Sequence, residues 1–503
     1  MTPRIQHYVD GSLTDLSDLG LESATAGQRV LVNNPATGAT IGELQCADEQ
    51  CVDHVVRRAA AAQKAWNAVG LGKRSAVFFQ LSHILRTEAD ELAAIITEEN
   101  GKTLPDARGE IARGLENVEF CAGLGHHLKG EIAHQVSTGI DVEQLKQPLG
   151  VVACITPFNF PAMVPLWMTT AAIAAGNAVV VKPSEQVPRS VLWIADAFTR
   201  AGLPDGIFSV IHGQKDTVES LIDHPLIKAV SFVGSTPVAR SVYTRATGLG
   251  KRAQALGGAK NHMVVMPDAD IDSAADAAVS AGFGAAGQRC MAVSVIVAVG
   301  ECADELVEKI AERARNLTVG PGDSQKSDLG PLISAAAQAR VRGYIDSVEG
   351  SDATLVVDGR TGEYPSEGYF VGPTLIDHVT PGMKVYDDEI FGPVLSVVRV
   401  PTFDDAVSLI NANTYANGVA IFTRDGKTAR EFKQEIEVGM VGINVPIPVP
   451  VGTFSFGGWK NSLFGDTHMY GPEAFHFYTR RKVVSTRWPQ PDESQISLGF
   501  PTH

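Results

Sequence analysis

The chain has 503 residues, with 42 Lys plus Arg against 57 Asp plus Glu and a formal charge of -15. At roughly 150 residues per domain this length implies two to three cores. The acidic balance, with no basic run and no arginine-aromatic interleaving, excludes a nucleic-acid binder. An acidic protein that handles anionic substrates must gather positive charge locally, so single arginines near a reaction centre carry weight.

In chain order, the opening Met1-Thr2-Pro3-Arg4-Ile5-Gln6-His7-Tyr8 lacks the apolar core of a secretion signal, and the acidic stretch after it does not suit a transit peptide. The six cysteines, Cys46, Cys51, Cys121, Cys154, Cys290 and Cys302, form no C-x-x-C pair and no zinc-spaced cluster with histidine. Free thiols in a reducing compartment follow, and the expected location is cytoplasmic. Asp48 to Trp66 and Ser75 to Asn100 carry apolar residues at helical spacing, with Asn100-Gly101 as a stop. From Val151 the pattern changes to short apolar runs, Val151 to Ile155, Ala178 to Val181, Ile207 to Ile211 and Ala229 to Val233, separated by helix-length segments. Such alternation predicts a parallel, doubly wound sheet.

The most apolar stretch, Ala162 to Val181, is interrupted by Pro165, Gly176 and Asn177, which predicts a buried helix followed by a buried strand rather than a membrane span. A second alternating series starts near His262 and continues through Ala292 to Val299, Val419 to Thr423 and Gly439 to Asn444, predicting a second α/β domain. His127 to Gln147 and Phe475 to Trp488 read instead as extended, polar-rich strands. Strands of that kind need pairing partners, so both are assigned to a small oligomerisation unit.

Three segments carry the candidate chemistry. The first is Phe283-Gly284-Ala285-Ala286-Gly287-Gln288-Arg289-Cys290, where glycines allow close backbone approach and Arg289 sets positive charge beside a thiol, favouring thiolate. For the other five cysteines the ordinary role of buried structural residues is expected. Gly282, Gly284 and Gly287 also satisfy G-x-G-x-x-G, but they follow a helical pattern and lead into a strand, the reverse of a dinucleotide fingerprint. The second segment is Thr156-Pro157-Phe158-Asn159-Phe160-Pro161. Asn159 suits a helix cap ahead of Pro161, and equally suits an amide donor to an oxyanion, a contact typically worth ~3 to 4 kcal/mol of barrier. The third is Leu256-Gly257-Gly258-Ala259-Lys260-Asn261-His262.

Together these segments resemble the aldehyde dehydrogenase superfamily. The resemblance implies an α/β, aldehyde dehydrogenase-like fold with two doubly wound α/β domains plus a small β oligomerisation unit. The expected division is 1-126 and 148-256 for NAD binding, 257-446 for catalysis, and 127-147 with 447-503 for oligomerisation and the C-terminal tail. It implies that Cys290 attacks an aldehyde carbonyl and that Asn159, with the Cys290 backbone N–H, holds the oxyanion. It also implies NAD contacts at Thr156, Phe158, Lys182, Glu185, Gln186, Ser235, Gly257 and Glu389. Of these, Lys182 belongs to the adenosine ribose, Ser235 to the pyrophosphate and Glu389 of Glu389-Ile390-Phe391-Gly392-Pro393 to the nicotinamide ribose. A carboxylate at Glu185 would repel the extra phosphate of NADP. Read without the resemblance, Lys182 with Glu185 is a solvated pair and Glu389 an exposed loop acid.

A narrower resemblance, to methylmalonate-semialdehyde dehydrogenases, rests on Gly287-Gln288-Arg289-Cys290-Met291, Ala259-Lys260-Asn261-His262, Pro157 to Met168 and Asn444-Val445-Pro446-Ile447-Pro448-Val449-Pro450. It implies an acylating enzyme that uses coenzyme A as a co-substrate and releases propionyl-CoA or acetyl-CoA from methylmalonate or malonate semialdehyde. Arg113 and Arg289 would clamp the substrate carboxylate as planar donors, although Arg113 alone reads as a solvated helix residue. Leu256 stands where most of the superfamily places the glutamate that activates water, and leucine cannot take a proton. The loop from Pro446 to Phe456 is expected to wall the substrate entrance. The expected partners are a small semialdehyde acid and copies of the chain itself, as a homotetramer or homodimer, with no nucleic acid and no membrane. The competing reading is a hydrolytic, NAD-dependent aldehyde dehydrogenase whose water-activating base lies elsewhere.

Overall fold

The structure, a computed structural model, describes residues 2–21 and 28–489; the end of the predicted C-terminal tail, 490–503, lies outside the described residues. Two large sheets organise the chain. The first has eight strands, in the order Leu463–Phe464, Arg252–Leu256, Ile227–Val233, Val151–Ile155, Ala178–Lys182, Phe208–Val210, His7–Val9 and Ser12–Thr14. Its five central strands are parallel, and the edges are antiparallel. Val151–Ile155 and Ala178–Lys182 are buried along their whole length, as strands covered by helices on both faces must be. The chain leaves Val151–Ile155 towards one side of the sheet and returns through Ile227–Val233 on the other. This places a topological switch point, where ligands of open α/β sheets collect, beyond the C-terminal ends of these two strands.

The second sheet has seven strands, in the order Thr354–Val357, Thr374–Asp377, Val394–Val400, Val293–Val299, Asn261–Val265, Gly418–Phe422 and Met440–Ile443, parallel except for the first. A third sheet pairs Thr479–Arg487 with Ile140–Pro148 and that strand with Glu131–Ser137. Both segments predicted as polar strands fall in this sheet and pair with each other, with one correction. Phe475 to Phe477 are helical, in Gly471–Phe477, because Phe475 and Phe477 bury their rings in the core before the chain extends.

The predicted helix from Asp48 is Glu49–Asn67, with the Asp48 carboxylate accepting from the Cys51 N–H as its cap. The single helix expected over Ser75 to Asn100 is two, Leu71–Thr87 and Ala89–Asn100. Glu88 between them leaves helical geometry at φ -116°, ψ 18°. Met163–Ala174 is buried on every side, as the interrupted apolar stretch implied. Among the described residues no helix is long and apolar enough to cross a membrane.

Buried histidines give the fold a defined response to acid. His7 and His212 lie in the first sheet's core with ring centroids 5.1 Å apart, the His212 N–H donating to His7 Nδ1 at 3.1 Å. Burial pushes His212 down to about 4, with the charge of Lys182 adding to the effect, and holds His7 well below its usual range. Burial, then Lys260, push His262 down to about 3. An unfolded histidine titrates near ~6.5, so between that value and about 4 the unfolded chain binds more protons than the folded one. The stability held by neutral histidine is therefore full above ~6.5 and is lost as pH falls; His212 alone accounts for on the order of 3 kcal/mol by pH 4. Urea unfolding midpoints should fall from pH 6.5 to 5, with the three histidines together outweighing Glu99, whose carboxyl burial raises to about 7 and which acts in the opposite direction. A flat midpoint across that window would contradict the assignment.

Candidate active site

The switch point opens into a cleft of about 920 Å³ whose lining includes Thr156, Phe158, Asn159, Lys182, Glu185, Ser235, Gly257, Cys290 and Glu389. Nine of the twelve sequence candidates thus meet around one space, although they come from six separate stretches of chain. Gln186, Arg113 and Arg289 do not line it. Gln186 turns into the next loop, where its backbone N–H donates to Ser184 Oγ at 3.4 Å.

Cys290 ends a strained turn. Ala285 and Ala286 both sit at φ 52°, a left-handed conformation that costs a residue with a Cβ roughly 1 to 3 kcal/mol and is found where surrounding structure enforces it. Gly287, at φ 70°, has to be glycine, because a Cβ there would lie 2.0 Å from the Gly392 carbonyl. The turn follows the helix Ile271–Phe283 and leads into Val293–Val299, so the glycine pattern it contains is no dinucleotide loop. Gln288 fastens it by accepting from the Ile333 N–H at 3.1 Å and donating to the Pro331 carbonyl. Cys290 is partly exposed to the cleft, whereas the other five cysteines are buried and none forms a disulfide.

Arg289 does act towards thiolate, as expected, but it is outweighed: its guanidinium is also bonded to Asp106 Oδ1 at 2.6 Å, and burial followed by the negative charge of Glu389 pushes the Cys290 thiol up to about 12. The Cys290 and Met291 N–H groups bond the sulfur and act in the opposite direction, as does Arg289 more weakly. Arg113, on the helix Leu104–Ala122, pairs with Glu116 at 3.1 Å and is half exposed. Arg113 and Cys290 both act electrostatically on Tyr470, in opposite directions. Tyr470 packs with Trp167 and Phe456, and its hydroxyl donates to the Pro450 carbonyl at 2.9 Å. Of the two phenylalanines in the predicted entrance loop, Phe456 is buried in this aromatic group while Phe454 is exposed.

Asn159 does not cap a helix. The following helix starts at Met163, and the Glu110 carboxylate takes over the capping by accepting from the Ala162 and Met163 N–H groups at 2.7 and 3.0 Å. The Asn159 amide makes no hydrogen bond among the described residues and is presented to the cleft. Its backbone is held hard: Lys102 Nζ donates to the Asn159 carbonyl at 2.7 Å and to Glu110 Oε2 at 2.6 Å, and Asn100 Nδ2 donates to the Phe158 carbonyl at 2.9 Å. Sequence reading missed Asn100, Lys102 and Glu110; lysine and glutamate eight residues apart around a helix start look like any solvated pair until both are found buried.

Glu389 is buried, not an exposed acid. It accepts from the Ala259 N–H at 2.9 Å, and burial raises its pKa against the opposing pull of that bond, Lys260 and Arg340. A Cβ on Gly258 would collide with the Glu389 carboxylate at 2.3 Å. Lys182 is likewise buried, donating to the Gly213 carbonyl at 3.0 Å with Glu185 3.6 Å away, and burial lowers its pKa while Glu185 raises it. Leu256 belongs to the core and lines no part of the cleft.

These residues fit a dinucleotide. Thr156 Oγ1 is buried beside the cleft without a hydrogen-bond partner. The helix Thr236–Gly248 points its N-terminus at the cleft, and the Ser235 side chain at its cap makes no bond to it, leaving N–H groups and a hydroxyl for a pyrophosphate. Phe158 and Phe391 meet edge to face at 5.8 Å beside them.

Residues 22–484 match the family model described as the aldehyde dehydrogenase family. The chain belongs to the aldehyde dehydrogenase family. It is 49% identical over 502 residues to a malonate-semialdehyde dehydrogenase of Pseudomonas aeruginosa, covering 99% of both chains. Among solved structures it is similar to a methylmalonate-semialdehyde dehydrogenase from Oceanimonas doudoroffii, with a TM-score of 0.94 and 50% identity over 98% of this chain and 99% of that one. It is also similar to a putative methylmalonate-semialdehyde dehydrogenase from Sinorhizobium meliloti 1021 complexed with NAD, with a TM-score of 0.95 and 46% identity over 98% and 100% of the two chains. The aldehyde dehydrogenase fold expected from the sequence is thus the one found.

Proposed function

We propose that this aldehyde dehydrogenase oxidises methylmalonate and malonate semialdehydes with NAD and passes the acyl group to coenzyme A. NAD is read into the cleft at Thr156, Phe158, Lys182, Glu185, Ser235, Gly257 and Glu389, where it supplies the hydride acceptor. Cys290 gives up its thiol proton to solvent in the cleft, the thiolate Sγ adds to the aldehyde carbon, and the alkoxide that forms is held by the Asn159 amide and the Cys290 N–H. Loss of hydride leaves a thioester on Cys290. The β-carboxylate then departs as carbon dioxide while its bonding electrons pass to the thioester oxygen, again held by the Asn159 amide. Protonation of the resulting carbon gives the propionyl or acetyl thioester, and the thiolate of coenzyme A displaces Cys290.

The reading of acyl transfer to coenzyme A rests on the resemblance, which sets Leu256, here a buried core side chain, where relatives carry a water-activating acid; it is supported by the similarity to methylmalonate-semialdehyde dehydrogenases. A base beside the thioester would favour hydrolysis in competition with thiol attack. Gln186, which follows Glu185, is read as a further NAD contact.

Recognition of the substrate carboxylate is assigned to Arg113, with Arg289 contributing after exchange with Asp106. In the test, Arg113→Ala should raise KM for the semialdehyde acids by about tenfold or more and leave propanal nearly unchanged, as expected for a charge-assisted contact. Equal losses on both substrates would remove the clamp. Residues 1-126 and 148-256 are read as the cofactor half and 257-446 as the catalytic half. The third sheet is read as a contact between copies of the chain, since its outer strands expose Ile132, Val136 and Val483 along unpaired edges.

A further inference from the structure

We propose that Asn261 and Asn417 are positioning residues for the nucleophile, together holding the Cys290–Met291 peptide so that its N–H is aimed at Cys290 Sγ. The inference rests on the reading of Cys290 as the attacking group. Asn261 Nδ2 donates to the Cys290 carbonyl at 2.9 Å and to the Ala292 carbonyl at 2.9 Å, and its own oxygen accepts from the Gly418 N–H at 3.0 Å. Asn417 Nδ2 donates to the same Cys290 carbonyl at 3.1 Å and faces Met291 Sδ at 3.0 Å. Both side chains are buried, and neither lines the 920 Å³ cleft.

The sheet explains why two amides converge on one oxygen. Asn261 opens a strand paired on one side with Val293–Val299, the strand that leaves the cysteine turn, and on the other with Gly418–Phe422, which Asn417 immediately precedes. The two side chains therefore lie at neighbouring strand starts directly beneath the turn. In a trans peptide the C=O and N–H point in opposite directions, so fixing the Cys290 carbonyl towards the sheet turns the Met291 N–H towards the cleft and the sulfur. Two donors on one carbonyl also polarise the peptide and strengthen that N–H as a donor. The Met291 N–H is one of the groups that pull the thiol down against burial and Glu389. This clamped peptide acts in the same direction as Arg289, whose guanidinium is also bonded to Asp106. The strained alanines upstream make the clamp necessary, since a turn under strain relaxes by rotating its peptides when nothing holds them.

The test uses the full-length enzyme saturated with NAD and follows alkylation of Cys290 by iodoacetamide against pH, with the labelled residue located by mass spectrometry. Asn417→Leu keeps the branched shape, with larger methyl groups, and removes both donor hydrogens; Asn417→Ser keeps a polar group too short to reach the carbonyl and serves if the leucine variant does not fold. Either folded variant should shift the alkylation profile upward by about one pH unit or more, seen as ~10-fold slower labelling at a fixed pH below the parent's midpoint, with NAD affinity unchanged. A profile that coincides with the parent's would overturn the proposal, because a purely structural role lowers stability without moving the thiol's titration. Failure of the underlying reading is seen separately: parent enzyme that keeps full turnover after complete alkylation of Cys290 would show that the sulfur is not the nucleophile.

Discussion

Cys290→Ala should reduce NAD-dependent aldehyde oxidation by ~10^4-fold or more while NAD affinity stays within about threefold of the parent, because the reaction loses its covalent step and the dinucleotide loses almost no contact. The argument is geometric. Of the six cysteines Cys290 alone reaches the cleft, and the others are buried in the cores. The turn that presents it carries two alanines in left-handed conformation and a glycine that no other residue can replace, a combination that folding alone does not favour. Lining the same cleft is the Asn159 amide, unbonded among the described residues although its backbone is tightly held. Cys290→Ser, which keeps the shape but raises the barrier to attack, should fall near the alanine variant in rate. Steady-state NADH production with equilibrium titration of NAD checks both halves of the expectation, and a variant that retained a tenth of the parent rate would refute it.

The second large effect is on stability and concerns no group that touches substrate. Lys102→Met should destabilise the fold by ~3 to 5 kcal/mol, the usual consequence of removing one partner of a buried ion pair and leaving the other charged. The Lys102 and Glu110 side chains are 1% and 0% exposed and 2.6 Å apart. The double variant Lys102→Met with Glu110→Gln should recover part of the loss, since no uncompensated charge remains. It should still fall short of the parent, because Glu110 also caps Ala162 and Met163. Both variants should lower kcat beyond what partial unfolding explains, because Lys102 fixes the carbonyl of Asn159. Urea unfolding followed by tryptophan fluorescence reads the stability, and a single variant within about 1 kcal/mol of the parent would show the pair to be dispensable.

The residues that announce themselves in the sequence are those whose local string is specific. The cysteine turn, the Thr156 to Pro161 turn and the Glu389 motif each combine glycine, proline or an aromatic with a reactive group, and all three line the cleft. Parallel strands were legible where a fully apolar run of about five residues stands between turn signals, as in Val151–Ile155 and Ala178–Lys182. Thr374–Asp377 and the antiparallel edges His7–Val9 and Leu463–Phe464 were not, because a run of two to four residues carries too little periodicity to separate from loop. Pairings made by the fold stayed hidden altogether. Arg289 reads as a free charge beside a thiol until Asp106, 183 positions away, is found bonded to it. Asn159 reads as a cap until Glu110 is found in that role. Asn261 and Asn417 lie 156 positions apart and meet only because their strands are neighbours in the second sheet.

The measurement that bears most directly on the whole account is NADH formation from methylmalonate semialdehyde and NAD, with and without coenzyme A, with the products identified by mass. The account predicts sustained turnover only with coenzyme A, yielding propionyl-CoA and one carbon dioxide per NADH. Sustained turnover to a free acid without coenzyme A would contradict it, and would mean that a group other than the residue at Leu256 activates water at the Cys290 thioester.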